Sequence, residues 1–336
     1  MEKGRKRMIR FGIIGAGNIT RNFCVAFKGI EDGCLYAIAS RSLQKAKEYK
    51  ETYNIEKAYG SYLDMLKDPL VDCVYVATPH GLHYEHMMLI LDFGKHILCE
   101  KAFTLNQKQA QEVFLKAKSK KLFVMEAMWT RFLPLTKALI KEVRNGIIGD
   151  IVRIDASLCF NLSVDDQHRV LAKHLGGGAL LDVGIYPITY ANLFLGKPLN
   201  IESKAKITRT GVDGSNEIVY HYENAKAYLK SSVVEEGLQE ALIHGSKGRV
   251  RIPLFWCAEK AMVYNHHNQH IKTLYYPHDV NGYEYEIRET IHLIKSGFLE
   301  STVMSHETTL EIMRQMDAIR QNINLVYPHE EMKKSL

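Results

Sequence analysis

Cysteine is scarce in this 336-residue chain: six thiols, at positions 24, 34, 73, 99, 159 and 257, with no two at the short spacing of a metal-binding pair. Several lie inside apolar runs, where a thiol behaves as a small hydrophobe. This excludes a disulfide scaffold and fits a reducing compartment. The sequence also lacks an uncharged apolar stretch of ~18 residues, the length a membrane span requires. The basic start runs into Met8-Ile9-Arg10-Phe11-Gly12 without a hydrophobic signal core or a small-residue cleavage site. The expectation is a cytoplasmic protein with no membrane partner. Strong charge of one sign is missing too. Lys and Arg number 44 against 38 Asp and Glu, a formal net charge of +6. Part of it sits in Lys3, Arg5, Lys6 and Arg7, which read as a mobile basic tail. So weak a bias argues against a nucleic-acid partner and suits an anionic small ligand.

What is present is an ordinary globular composition, 46% hydrophobic and 24% charged. A single core seldom grows beyond roughly 250 residues, so this length predicts two domains. Ile9–Ile14 is a short apolar run ending in Gly15-Ala16-Gly17-Asn18, after which an amphipathic stretch continues to Phe27. Apolar runs at 34–40, 71–78, 96–99 and 122–125 alternate with helical patterns at 44–53, 84–93 and 107–118. Parallel strands need crossover helices, so this alternation predicts a doubly wound parallel sheet over residues 1–127, with residues 1–7 as its tail.

Beyond Trp129 the pattern changes. A helix over 135–145 leads to strand-like segments at 151–160, 200–208, 217–222, 225–234, 241–244 and 248–252, with a glycine-rich turn and an apolar helix over 180–194 between the first two. Strands that follow one another directly predict a large, mostly antiparallel open sheet. Two amphipathic helices, 285–295 and 307–322, close the chain. The fold class is α/β: a Rossmann domain, then an α+β domain over 128–336 that binds substrate and supports oligomerisation.

The turn Gly15-Ala16-Gly17 between strand and helix is what a pyrophosphate needs. Glycines permit close backbone approach, and the helix start at Asn18 and Ile19 offers unpaired amide donors and the positive end of a dipole. Thr20 replaces the third glycine of the usual fingerprint, a departure that could loosen the helix packing or be harmless. At the end of the second strand, Ser40-Arg41-Ser42 stands where an acidic residue usually holds the ribose hydroxyls. A carboxylate there repels a 2′-phosphate, whereas Arg41 pairs with one, Ser40 or Ser42 donates to it and Lys45 adds charge. NADP is favoured over NAD.

Three further segments join this turn: Thr78-Pro79-His80-Gly81-Leu82-His83, Gly94-Lys95-His96-Ile97-Leu98-Cys99-Glu100-Lys101, and Gly176-Gly177-Gly178 running on through Asp182 to Tyr186-Pro187. Together they resemble the Gfo/Idh/MocA family of oxidoreductases along nearly the whole chain. Met125-Glu126-Ala127-Met128-Trp129-Thr130-Arg131-Phe132 is similar to the branch holding dimeric dihydrodiol dehydrogenase and NADP-linked xylose dehydrogenase. The resemblance implies hydride transfer between NADP and a carbohydrate or cyclic vicinal diol, by an aldose 1-dehydrogenase or a dihydrodiol dehydrogenase. A keto-sugar reductase uses the same residues in reverse, and a catalytically idle NADP-binding sensor or scaffold is the alternative from another class.

The resemblance also implies roles. Lys101 stabilises alkoxide-like charge or lowers the pKa of a neighbouring phenol, Tyr186 carries the proton, and Asp182, four residues earlier, anchors a substrate hydroxyl. Thr78, Pro79, His80, His83 and Glu100 join Lys101 around the cofactor, the two histidines in a loop over the nicotinamide. Trp129, Arg131 and Phe160 face the substrate. Ala102 stands where the family usually has proline, so the turn that aims Lys101 loses a fixed backbone angle. A homodimer or homotetramer through the second domain's sheet is implied as well. His83 and His86 lack the spacing of a metal helix, and His266, His267 and His270 fall in a polar hairpin or loop, so no metal is expected.

Overall fold

Strand β1 (Ile9–Ile14) is buried at every position except the half-buried Arg10, as befits a strand with helices on both sides of its sheet. The computed structural model describes residues 8–331, and the basic run at Lys3, Arg5, Lys6 and Arg7 lies outside them. After β1 come α1 (Asn18–Ala26), β2 (Gly33–Ala39), α2 (Leu43–Tyr53), β3 (Lys57–Tyr59), α3 (Tyr62–Leu66), β4 (Cys73–Val76), α4 (His80–Asp92), β5 (His96–Glu100), α5 (Gln107–Lys120) and β6 (Val124–Ala127). All six strands pair in parallel, in the order β3-β2-β1-β4-β5-β6. The order reverses direction between β1 and β4, the crevice where doubly wound sheets bind ligands beyond the carboxyl ends of their strands.

The rest of the chain comprises α6 (Pro134–Arg144), β7 (Ile151–Cys159), a π-turn (Leu180–Gly184) continuing into α7 (Ile185–Leu195), then β8 (Asn200–Ile207), β9 (Asp213–His221), β10 (Lys226–Ser232), β11 (Gln239–Gly245), β12 (Gly248–Pro253), β13 (Lys260–Asn265) and β14 (His270–Tyr275). α8 (Glu284–Lys295), α9 (His306–Asn322) and α10 (Pro328–Glu331) follow. The eight strands form one sheet in the order β14-β13-β12-β11-β7-β10-β9-β8, antiparallel except for the β7–β10 pair. Strand β10 shows why: Ala227, Leu229 and Ser231 are buried while Lys226, Tyr228 and Lys230 are exposed, a period of two that buries one face only. The helix from the π-turn through α7 packs on this sheet. Residues 173–195 are long and apolar enough to cross a bilayer by composition, and they are mostly buried in the protein, which is also how a core helix lies.

Two compact units divide the chain. The first holds the residues up to Phe103, Lys108–Trp129 and Asp279–Thr309; the second holds Thr104–Gln107, Thr130–His278 and the residues from Leu310 on. The change of pattern near 127 predicts one boundary and keeps 279–309 with the second domain, whereas this segment clusters with the first unit. Its side chains explain why. Arg288 donates to Gly29 O (3.0 Å), Ile291 fills the space over Gly33, and the His306 ring stacks on Phe114 at 3.9 Å.

Candidate active site

Close backbone approach at the first strand–helix turn is built in. Gly15 has φ +101°, and a Cβ there would stand 2.6 Å from the Ala77 carbonyl oxygen. Gly17 caps α1 without a side-chain acceptor, and a Cβ on it would meet open space. Exposed Asn18 and half-buried Ile19 open the helix, and its first turn carries no acidic residue. These are the properties of a cradle for a pyrophosphate. Thr20 does not loosen the turn: it is fully buried, and its hydroxyl donates to Gly15 O at 2.8 Å, closing the loop where glycine usually stands. The Tyr49 hydroxyl donates to Gly17 O at 3.0 Å and adds a second tie from α2.

At the end of β2, Ser40 is buried, and its Oγ accepts from Ser42 N at 3.3 Å. Ser42 caps α2 by accepting from Lys45 N, and Arg41 and Lys45 are exposed. Burial raises the Tyr62 phenol and lowers the His86 imidazole, and the Arg41 charge, close enough to act on both, opposes the first shift and adds to the second. The site therefore fits a nucleotide carrying a 2′-phosphate.

The segment carrying His80 and His83, read from the sequence as a loop, is instead the first turn of a helix. Pro79 caps α4, which opens at His80, because a fixed φ of −59° delivers the chain straight into helical geometry. His80 and His83 are both buried. His83 places Nδ1 2.9 Å from Ala102 O and Nε2 2.7 Å from Thr78 O. Burial pushes its pKa down to about 4, so the ring is neutral and its single N–H donates to one of these carbonyls at a time. The Thr78 hydroxyl meets His86 Nδ1 at 3.0 Å.

Lys101, half-buried, leaves the carboxyl end of β5. The turn after it is held even without proline. The Lys101–Ala102 peptide is cis, Ala102 is fully buried with its carbonyl on His83, and Phe103 N donates to Glu126 Oε1 at 3.1 Å. Thr309 fixes the other Glu126 oxygen at 2.9 Å. Beside Lys101, Glu100 accepts from the buried Tyr75 hydroxyl. Fully buried Glu286 of α8 is pushed far above the usual carboxylate range, first by burial and then by the Glu100 charge. Trp129 packs its ring on Tyr283, centroids 4.5 Å apart and nearly parallel.

In the second unit, Asp182 and Tyr186 are buried to within 8% and 7% of full occlusion. They stand on a π-turn running into α7, where the four-residue spacing predicts an uninterrupted α-helix. Asp182 accepts from Arg169 Nη1 at 3.0 Å. Arg131 and Phe160 are half-buried, and Phe160 N donates to Ser232 O at 3.1 Å, extending β7 by one rung. His266, His267 and His270 lie at the hairpin joining β13 to β14.

Residues 9–128 match the oxidoreductase family with an NAD-binding Rossmann fold, and residues 136–251 match the GFO/IDH/MocA C-terminal domain. The chain is 32% identical to trans-1,2-dihydrobenzene-1,2-diol dehydrogenase of Xenopus tropicalis, over 95% of this chain and 99% of that one. The chain belongs to the Gfo/Idh/MocA family of oxidoreductases. Another family member, the NADP-dependent scyllo-inositol 2-dehydrogenase of Bacillus subtilis, is also 32% identical, over 96% of this chain and all of its own length. Among solved Gfo/Idh/MocA structures, a 3-ketoreductase from Actinomadura kijaniata with NADP and TDP-benzene superimposes with a TM-score of 0.87 at 26% identity, covering 94% of this chain and 98% of that one.

Several contributors to the site carry no signal in the Gfo/Idh/MocA motifs. Thr20, Tyr49 and Arg169 act through one hydrogen bond each to a turn or to a motif residue, and Asp213, treated below, falls between the strand signals at 200–208 and 217–222.

Proposed function

We propose that this protein is an NADP-dependent dehydrogenase of a carbohydrate or cyclic vicinal diol, with keto-sugar reduction as its reverse. The observation that carries the cofactor choice is Arg41: an exposed guanidinium at the end of β2, flanked by Ser40 and Ser42, at the position where NAD-binding chains carry a carboxylate. Two relatives support the choice, since both are named with or solved with NADP. Gly15, Gly17, Asn18 and Ile19 would hold the pyrophosphate, Ser40, Arg41, Ser42 and Lys45 the 2′-phosphate, and Thr78, Pro79, His80, Glu100 and Lys101 the nicotinamide half. His83 would act one step back, through the Thr78 and Ala102 carbonyls.

NADP, when bound, takes up or returns a hydride at its nicotinamide. The chain's own residues handle the proton. In oxidation Tyr186, as the phenolate, takes the substrate's hydroxyl proton and becomes the phenol, and in reduction the phenol returns that proton to the substrate oxygen. The Lys101 ammonium stabilises negative charge on the substrate oxygen, and Asp182 accepts from a neighbouring substrate hydroxyl. Trp129, Arg131 and Phe160 complete the substrate set. The cytoplasm is the proposed compartment, supported by six free thiols among the described residues. A second copy of the chain on the exposed face of the eight-stranded sheet is the proposed assembly.

The test is the appearance of reduced nicotinamide with NADP and a panel of aldoses, inositols and cyclic diols, repeated with Lys101→Ala and Tyr186→Phe. Each substitution is expected to lower kcat by about 10²–10⁴-fold, the range that a positioned proton carrier supplies. Silence across the panel in both directions despite tight NADP binding would replace this proposal with an idle sensor.

A further inference from the structure

The helix that carries Asp182 and Tyr186 opens at Ala179, so Gly178 occupies the position where a capping side chain normally accepts from the first free amides. Glycine has nothing to offer. The acceptor comes from another strand: Asp213, the first residue of β9, accepts from Leu180 N at 2.6 Å through Oδ2, which also accepts from Asn216 Nδ2 at 2.5 Å. Gly178 makes room for it. A Cβ at Gly178, whose φ is +123°, would stand 2.1 Å from Asp213 Oδ1. The turn is fastened from other sides too, by Gly178 N on Val170 O at 2.8 Å and by the Tyr327 hydroxyl on Gly177 O at 2.8 Å.

We infer that Asp213 is a positioning residue, a cap supplied in trans to the helix start, which fixes the π-turn and thereby the placement of Asp182 and Tyr186. The inference rests on the roles proposed above for those two residues. Asp213 serves as this acceptor despite a penalty on its charged form. It is fully buried, and burial pushes its carboxyl up to about 6 against the opposing pull of Asn216, the Leu180 amide and Arg320. A carboxyl whose folded pKa is raised loses stabilisation as pH climbs from its ordinary value through 6, so at neutral pH the ionised group stabilises the fold less than its protonated form does at low pH. What it provides is an acceptor of the right shape for one backbone amide, Leu180 N.

Asp213→Ala removes the acceptor, and Asp213→Asn restores a neutral one of the same shape. The Ala variant is expected to lower kcat by about 10- to 100-fold, the loss that roughly an ångström of misplacement causes, while its Kd for NADP stays within about twofold of wild type, as for other substitutions remote from the ligand. Amide exchange over residues 180–186 should speed up in the Ala variant, and both kcat and protection should recover in the Asn variant. Wild-type kcat in the Ala variant would overturn the inference, and so would joint loss of turnover and NADP binding, which marks a fold-wide role. Tyr186→Phe serves as the control. If it turns over normally, the reading of Tyr186 fails on its own, and the cap is then decided by exchange alone, with unchanged protection in the Ala variant overturning it.

Discussion

At the scale of single residues, cofactor choice turns on charge at the end of β2. Arg41 is exposed there with no acidic neighbour in Ser40 or Ser42, so a 2′-phosphate meets a forked cation and two hydroxyls. A hydrogen bond to a charged group contributes about 1.5–3 kcal/mol, which corresponds to roughly 10- to 100-fold in affinity. Arg41→Asp is therefore expected to weaken NADP binding by about that factor and to leave NAD binding equal or tighter, read by nucleotide fluorescence titration. Equal NADP affinity in the variant would show that Arg41 is a solvated side chain with no part in recognition. Arg41 and Gly15 are legible in the sequence because each does its work with its own chemistry at a fixed offset from a strand. Thr20 is not, because its contribution is a hydroxyl reaching back five residues to Gly15 O.

At the scale of elements, the glycine-rich turn sets where the helix of Asp182 and Tyr186 begins. Gly178 is held at φ +123° with Asp213 Oδ1 where a Cβ would go, while Gly94, at φ +68°, has nothing within 4 Å of that point. Gly94→Ala is expected to cost about 1 kcal/mol, the ordinary price of a left-handed alanine. Gly178→Ala adds displacement of a buried carboxylate to backbone strain of about 1–3 kcal/mol, so it should melt several degrees lower than Gly94→Ala and lose turnover as well. Equal melting temperatures for the two variants, by calorimetry, would mean that Asp213 yields easily and is no seat for the turn. The helix over 180–194 is plain in the sequence, but its π-turn is not, since a stretch buried on every side from 180 to 191 has no hydrophobic phase to shift. β14 escaped for the opposite reason: five of its six residues are exposed, so no alternation marks it as a strand. β3 is three residues long, too short for any pattern.

At the scale of the molecule, one parallel and one mostly antiparallel sheet follow from element types, which the alternation of strand and helix signals reveals, whereas the strand order and the clustering of residues 279–309 with the first unit depend on side-chain fits such as Ile291 over Gly33, which no periodicity encodes. The exposed face of the eight-stranded sheet is less apolar than an oligomer-forming face is expected to be. Rows of opposite charge cross it: Lys204 and Lys230 flank Glu217 at 2.8 and 3.6 Å, Arg251 meets Glu240 at 2.6 Å, and Arg153 and His244 share Asp155. Tyr228 lies in the adjoining row, facing Val219 across one strand pair and Asp155 across the other. Exposed pairs of this kind contribute only about 0.2–1 kcal/mol each to one chain. Alternating rows do, however, present both signs to a second copy turned about a two-fold axis, the self-complementarity that a symmetric interface requires. Light scattering at micromolar concentration is expected to show a dimer or tetramer. Glu217→Lys, which sets like charges across three strands, is expected to shift it towards monomer, since like-charge juxtaposition in an interface costs several kcal/mol. A monomer in the unsubstituted protein, or an assembly indifferent to Glu217→Lys, would remove this face as the interface while leaving the nucleotide chemistry of the first unit untouched.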